Sequence, residues 1–325
     1  MVQFLSSLAL LLFTAGCSSK KEFEPKTIEQ KSVSFINQGI KIESINGSIA
    51  TLRKNRAITT EDGTQVKLNI DGDVIQIDDD NSTLQIRDKA IYFNSEQVIE
   101  LSHKVVKASK RDDMVAYILS NGDIGLYSIN EKSTIFREKY ESVDTIDSRL
   151  PNPLFDGRTI IFFTLNGKLA VYNLNSNTLV REFTIGIAKD YSNVIDFKMS
   201  KESLYLLTQR EIVKLSELGD ERREFNIRGA IFDKNIIYIV EKDGSVIKLD
   251  SELNRLASIK FPFAYFRSWG LSGDKIYLIE SNGYIIETDL ELENYRVFES
   301  TLSDERCFFS RDRFICDNKF FRLPL

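Results

Sequence analysis

The sequence has little of the residue types that build catalytic and metal sites. Its 325 residues include one His, three Cys and one Trp. A hydrolase would need a nucleophile with a positioned base, yet no G-x-S-x-G elbow is present and His103 stands between two predicted strands, where we expect a surface loop. The same counts exclude zinc sites built from His and Cys clusters. A quinone cofactor would need a stacking Trp and a set of metal-binding acids. We therefore expect no cofactor and no metal, and we predict that the chain is not an enzyme.

A concentrated positive charge is also missing. The formal net charge is −5, and the one basic run, residues 104–111, is predicted to be ordinary strand surface. Nucleic-acid binding would require a clustered basic face, so we exclude that partner. The acidic stretch DGDVIQIDDDNS from Asp71 has the acid content of a calcium loop but lacks the correctly spaced terminal Glu. Its centre alternates as a strand should, and we interpret it as an acidic loop end.

The one long apolar run of the sequence is its first sixteen residues, MVQFLSSLALLLFTAG. This run is shorter than the roughly 20 residues that a membrane-spanning helix needs. Its position and composition predict a signal peptide over residues 1–16, which is removed on export.

The residues that end at Cys17, Leu-Phe-Thr-Ala-Gly-Cys, resemble the bacterial lipobox. The resemblance implies cleavage before Cys17 and acylation of that residue, and two or more acyl chains anchor a protein stably on a membrane. Ser18 resembles the sorting pattern for the outer membrane, so the implied location is the outer membrane, facing the periplasm. The alternative is an ordinary secretory signal with an incidental cysteine. The polar residues 17–30 are predicted to be a lipidated tether.

Helix signals are missing from residue 31 onward, and short strands paired by tight turns recur instead. Asn-Gly and Asp-Gly turns favour two-residue hairpins because both residues tolerate a positive φ. Four copies are clear: MVAYILSNGDIGLYSI, TIIFFTLNGKLAVYNL, IIYIVEKDGSVIKLD and KIYLIESNGYIIETD. Four weaker copies are SIATLRKNRAITTE, STLQIRDKAIYFN, SLYLLTQREIVKLS and RFICDNKFFRL.

These eight hairpins predict an all-β fold, a β-propeller over residues 31–325. Their turns fall near residues 55, 88, 122, 167, 210, 244, 283 and 318. The mean spacing of about 38 residues is typical of a four-stranded propeller blade. The last blade lacks its outer strand, and the unassigned stretch KSVSFIN from Lys31 can supply it and close the ring. We predict eight blades; the alternative of seven would discard one weak hairpin.

The two remaining cysteines lie in the last hairpin. If residues 311–312 form a two-residue turn, Cys307 faces Cys316 as a non-hydrogen-bonded pair, where the two backbones approach closely. Because the periplasm is oxidising, we predict a structural disulfide between them.

The densest aromatic segment is the most obvious candidate for a binding surface. Aromatic and Arg side chains commonly anchor protein interfaces, and the alternative is that they pack between neighbouring blades. The candidate partner-binding residues are Phe261, Phe263, Tyr265, Phe266, Arg267 and Trp269.

Eight degenerate blades behind a lipobox, closed by an N-terminal strand, resemble the BamB-type lipoproteins of the outer-membrane β-barrel assembly machinery and the wider quinoprotein-like, or PQQ-like, propellers. Leu249-Asp250 and Tyr172-Asn173-Leu174 echo the repeat motif of that superfamily. The resemblance implies a scaffold, monomeric on its own, that binds other envelope proteins through loops at one end of the ring. Two alternatives remain open: a glycan or small-ligand binder, and a propeller enzyme such as a lyase, lactonase or glycosidase.

Overall fold

The structure, a computed structural model, describes residues 21–30, 33–37, 39–59, 63–141, 149–185, 193–302 and 305–323. Its eight sheets each contain four antiparallel strands, which confirms the eight-bladed β-propeller and excludes seven blades. In the described ranges the regular elements are strands alone, and no helix there has the length and apolarity to span a bilayer.

We number the blades I to VIII and name the strands of each blade A to D from the ring centre outward. Blade I contains β2 (Ile42–Asn46), β3 (Ile49–Leu52), β4 (Arg56–Thr59) and β5 (Gln65–Lys67), and blade II contains β6 (Asp73–Ile77), β7 (Thr83–Arg87), β8 (Ala90–Phe93) and β9 (Glu96–Glu100). Blade III contains β10 (Val105–Arg111), β11 (Met114–Leu119), β12 (Ile124–Ser128) and β13 (Ser133–Glu138). Blade IV contains β14 (Leu154–Asp156), β15 (Thr159–Phe163), β16 (Lys168–Asn173) and β17 (Thr178–Thr184).

Blades V to VIII complete the ring. Blade V contains β18 (Asp196–Met199), β19 (Ser203–Leu207), β20 (Glu211–Ser216) and β21 (Gly219–Glu224), and blade VI contains β22 (Ile227–Asp233), β23 (Ile236–Glu241), β24 (Ser245–Leu249) and β25 (Arg255–Lys260). Blade VII contains β26 (Phe266–Ser272), β27 (Lys275–Glu280), β28 (Tyr284–Asp289) and β29 (Tyr295–Glu299). Blade VIII contains β30 (Cys307–Ser310), β31 (Arg313–Cys316) and β32 (Lys319–Arg322), with β1 (Ile36–Asn37) as its outer strand.

The N-terminal strand closes the ring as predicted. β1 pairs antiparallel with β32, with Ile36 opposite Phe320, and so supplies the outer strand of blade VIII. The ring of Phe35, just before β1, lies 5.4 Å from that of Phe321 in an edge-to-face contact. This pairing covers the edge of β32, where unpaired backbone groups would otherwise invite association with another strand.

The core lies between neighbouring blades. Middle strands such as β11 are buried along nearly their whole length, whereas outer strands such as β13 are largely exposed. The sole tryptophan illustrates the packing, because the indole of Trp269 in blade VII covers Gly229 in blade VI. A Cβ at position 229 would lie 2.0 Å from the Trp269 ring, so glycine is required there.

Candidate functional site

The two faces of the ring carry different connections. Because strands A to D alternate in direction, the B–C turns and the connections between blades share one face, which we call the B–C face. The A–B and C–D turns lie on the opposite face. The predicted aromatic segment begins in the connection from β25 of blade VI to β26 of blade VII, which lies on the B–C face, and continues into β26.

Half of the aromatic segment lies in the core of the protein. The side chains of Phe261 and Phe266 are 2% and 0% exposed, and their ring centroids lie 5.9 Å apart. Trp269 packs on blade VI and donates a 3.1 Å hydrogen bond to the carbonyl of Ala230. These three residues fill the space between blades VI and VII, as the alternative interpretation required.

The other aromatic residues of the segment face solvent. Phe263 is 55% exposed and Tyr265 is 50% exposed. A turn explains the position of Phe263: the Ala264 N–H donates a 3.0 Å hydrogen bond to the Phe261 carbonyl, and Pro262 and Phe263 occupy the two central positions. Phe263 has a φ of 66°, as the second central residue of a type II turn requires, although glycine or asparagine is usual there. The turn therefore holds a large apolar ring outward.

Tyr265 is held by a cation. The Arg228 guanidinium lies 3.5 Å from the centroid of the Tyr265 ring, and its Nε donates a hydrogen bond to the Phe266 carbonyl. An Arg over an aromatic face is attracted by the ring quadrupole. The Tyr265 ring is thus held against Arg228 of β22, the inner strand of blade VI.

Phe263, Tyr265 and Arg267 line an open cavity of about 1090 Å³ between the ends of blades VI and VII. Its other lining residues are Lys21, Glu22, Lys242, Asp243, Lys260, Pro262, Ala264, Ser281 and Asn282. Cationic side chains outnumber carboxylates in this lining, although the whole chain carries a net charge of −5. The cavity therefore combines exposed aromatic rings with a local excess of positive charge.

One ion pair orders the wall of this cavity. Lys260 Nζ lies 2.5 Å from Asp243 Oδ2 in the neighbouring B–C turn. Burial raises the pKa of the Asp243 carboxyl, but hydrogen bonds from Lys260 and Ser245 outweigh it, and the pKa is lowered overall. Asp243 is therefore charged at neutral pH.

Within the predicted tether, residues 21–29 contact the B–C face through Phe23 and Glu29. Phe23 is 6% exposed, and its ring lies 6.2 Å from Phe261 and 5.8 Å from Tyr284. The Glu29 N–H donates a 2.8 Å hydrogen bond to the Val297 carbonyl. Lys21 Nζ lies 5.5 Å from the centroid of the Phe263 ring, at the cavity. We call residues 21–29 the N-terminal clamp. Sequence reasoning missed it, although a lone Phe23 in a polar stretch was a usable signal.

A second cavity, of about 490 Å³, lies at the ring centre against the inner strands β6, β14 and β18. The connection of residues 149–153 crosses it: Arg149 donates to the carbonyl of Arg228, and Asn152 donates to that of Ile75 on another side of the ring. Burial raises the pKa of the Asp196 carboxyl to about 6, against a hydrogen bond from the Phe197 N–H and the charge of Lys198.

The central cavity has few side chains that could act as an acid, a base, a nucleophile or a metal ligand. Asp196 is its one lining carboxyl in the described part of the chain. Across the same described ranges, no group of three or more His, Cys, Asp and Glu residues could hold a metal ion. The acidic stretch from Asp71 contributes β6, and Asp73 accepts a hydrogen bond from Ser44. His103 is exposed between β9 and β10, as expected.

The remaining predicted site residues are the cysteines. Cys307 and Cys316 are direct cross-strand partners, with Cα atoms 4.1 Å apart and sulfur atoms 2.01 Å apart. Formation of the bridge in the exported protein stays a prediction. Cys17 and the signal peptide lie outside the described residues.

Comparisons with known proteins give relatives in sequence and in fold. No family model matches the chain. The plasminogen-binding protein PgbB of Helicobacter pylori strain J99 is 28% identical over 263 residues, which are 80% of this chain and 48% of that protein. The same protein of strain 26695 is 27% identical over 288 residues, or 86% of this chain and 53% of the relative. The chain thus spans about half the length of these curated relatives.

Solved structures share the architecture at low sequence identity. BamB from Moraxella catarrhalis superposes with a TM-score of 0.64 at 15% identity, covering 90% of this chain and 99% of BamB. The C-terminal WD40 domain of Sif2 superposes with a TM-score of 0.60 at 9% identity, covering 91% and 98%. At such identities these likenesses support the propeller fold and nothing finer.

Proposed function

We propose that this chain is a non-enzymatic, protein-binding propeller of the bacterial envelope, exported to the periplasm and anchored in the outer membrane through acylated Cys17. The observation that carries the proposal is the cavity on the B–C face, where Phe263 and Tyr265 stand exposed beside Arg267 and lysines. Rigid aromatic side chains supply contact area at low entropic cost, and aromatic residues and Arg dominate interface energetics. The names of the sequence relatives, which describe protein-binding proteins, support the same class of function.

The proposed partner is another envelope protein, in the manner of a scaffold in outer-membrane protein assembly. Site-specific photocrosslinking tests this: benzoylphenylalanine replaces Phe263 in the lipidated protein in living cells, and adducts are identified by mass spectrometry. The matched control replaces Leu218, which is fully exposed in the C–D turn on the opposite face. A discrete protein adduct formed from position 263 and absent from position 218 supports the site. Identical adduct patterns from both positions contradict it.

Plasminogen is a second candidate partner, favoured by the name that both sequence relatives carry. The test is biolayer interferometry with immobilised plasminogen and the purified mature chain. If the cavity is the contact, the double substitution Phe263→Ser, Tyr265→Ser weakens binding at least tenfold, in the range of interface hot spots, whereas Leu218→Ser leaves it unchanged. If the wild-type chain does not bind plasminogen, plasminogen is ruled out as its partner. The envelope protein then remains the proposed partner.

A further inference from the structure

The N-terminal clamp fixes where the chain leaves the propeller. Phe23 is buried among the rings of blades VI and VII, and Glu29 pairs with β29, so the clamp is held at two separated points. Its first residue, Lys21, lies beside Phe263 at the cavity. The chain therefore departs toward Cys17 from the B–C face.

The length of chain left between clamp and anchor is short. Four residue steps separate Lys21 from Cys17, and a fully extended chain covers at most about 14 Å in that distance. Without the clamp, the free segment would reach from Cys17 to β1, which begins at Ile36. A chain of that length would let the ring turn either face to the membrane.

From this geometry we propose that the N-terminal clamp orients the propeller on its membrane, with the B–C face turned to the phospholipid surface. The inference rests on the acylation of Cys17 in the proposed function. The cavity then opens toward the lipid headgroups.

The composition of the cavity fits that orientation. Lys21, Lys242 and Lys260 all line it, and cationic side chains are attracted to an anionic phospholipid surface within about a Debye length. The exposed rings of Phe263 and Tyr265 suit the boundary between headgroups and water, where aromatic side chains concentrate.

Energy transfer from a single tryptophan to the membrane surface tests the orientation. The mature chain, residues 17–325, is coupled through Cys17 to a maleimide lipid in vesicles of phosphatidylethanolamine and phosphatidylglycerol that carry a dansyl headgroup acceptor. The coupling replaces cellular acylation, and the buried Cys307 and Cys316 do not compete for it. One reporter is Phe263→Trp and the other Leu218→Trp, both in a Trp269→Phe background.

We expect energy transfer from position 263 to exceed that from position 218 several-fold. Phe23→Asp, which places a charge in the aromatic pocket, releases the clamp and abolishes the difference. Glu29→Pro, which removes the N–H that the Val297 carbonyl accepts, serves as a second release variant. Circular dichroism checks that every variant is folded.

Equal transfer from the two positions in the protein with an intact clamp overturns the proposal, and so does an undiminished difference in both release variants. Because the anchor is attached chemically, these outcomes do not depend on whether the cell acylates Cys17. The acylation belongs to the proposed function and is measured separately, by mass spectrometry of the N-terminal peptide.

Discussion

At the scale of single residues, Phe263 departs from the ordinary rules of turn chemistry. A non-glycine residue in the left-handed region costs roughly 1–2 kcal/mol, and a bulky one is uncommon there. Phe263 bears this cost at a φ of 66° while its ring is 55% exposed and so gains little from burial. Strain held at an exposed position is the pattern found at binding sites, where the side chain is kept for function.

This strain predicts an unusual order of stabilities. Phe263→Gly is expected to be more stable than Phe263→Ala by about 1 kcal/mol, because glycine adopts a positive φ without steric cost. Urea denaturation of the two variants measures the difference. Both variants lack the ring, so both should lose the same amount of partner binding. An alanine variant as stable as the glycine variant would show that the turn carries no strain.

Asp196 predicts a pH dependence. Its pKa is raised from 3.8 to about 6 by burial, so the folded protein favours the neutral carboxyl. The free energy of unfolding is therefore highest below the unfolded pKa near 4 and falls as the pH rises through about 6, where the buried carboxyl ionises. Asp196→Asn should therefore raise the free energy of unfolding at pH 7.5 by about 2 kcal/mol and flatten the profile between pH 4 and 7. Urea titrations at several pH values test this, with Asp220 in the exposed strand β21 as the control position.

At the scale of elements, the last hairpin offers a stability prediction. Its cross-strand cysteines enclose a short loop, with a sequence separation of 9. Closing a loop of about ten residues stabilises a fold by about 2–3 kcal/mol in the chain-entropy model. The double variant Cys307→Ser, Cys316→Ser should lower the free energy of unfolding by that amount. Alkylation of both thiols in unreduced, denatured protein from the periplasm would refute the bridge.

The closing strand predicts a matched pair of truncations. Removal of residues 17–30 leaves β1 in place, so that protein should stay monomeric although it loses the clamp. Removal of residues 17–38 also deletes β1 and uncovers β32, whose free edge should promote self-association. Size-exclusion chromatography with light scattering compares the two proteins. Two equally monomeric proteins would mean that β1 is dispensable for closure.

The sequence predicts the positions of the turns better than it predicts which side chains are buried. The turns near residues 122, 167, 244 and 283 contain glycine with positive φ, and all of them join strands B and C as predicted. The sequence pattern could not separate buried from exposed aromatic residues within 261–269, because both groups are Phe, Tyr or Trp side chains in one short segment. Only the blade contacts separate Phe263 from Phe261. Similarly, Lys107 was predicted on strand surface but is 2% exposed, with Nζ bound to Asn46 of another blade.

At the scale of the whole molecule, fold and function are separate inferences. The ring closure and the eight blades follow from a repeat that recurs along the chain, so many weak signals support one another. The proposed binding site rests on one connection between two blades, and such connections vary without affecting the ring. The partner of this propeller therefore has to be inferred from its surface residues, separately from the fold.

The proposed acylation of Cys17 gives the last prediction. Cys17→Ser should move the mature protein from the membrane fraction to the soluble periplasmic fraction while leaving its thermal unfolding unchanged, because residue 17 precedes the described fold. Fractionation and mass spectrometry of the N-terminal peptide measure both points. If acylated Cys17 is found and the serine variant still binds its partner in solution, the cavity alone supplies recognition and the lipid supplies location. If the variant remains on membranes without acylation, the folded chain is held there by another contact, and the lysine-lined, aromatic cavity is the first candidate.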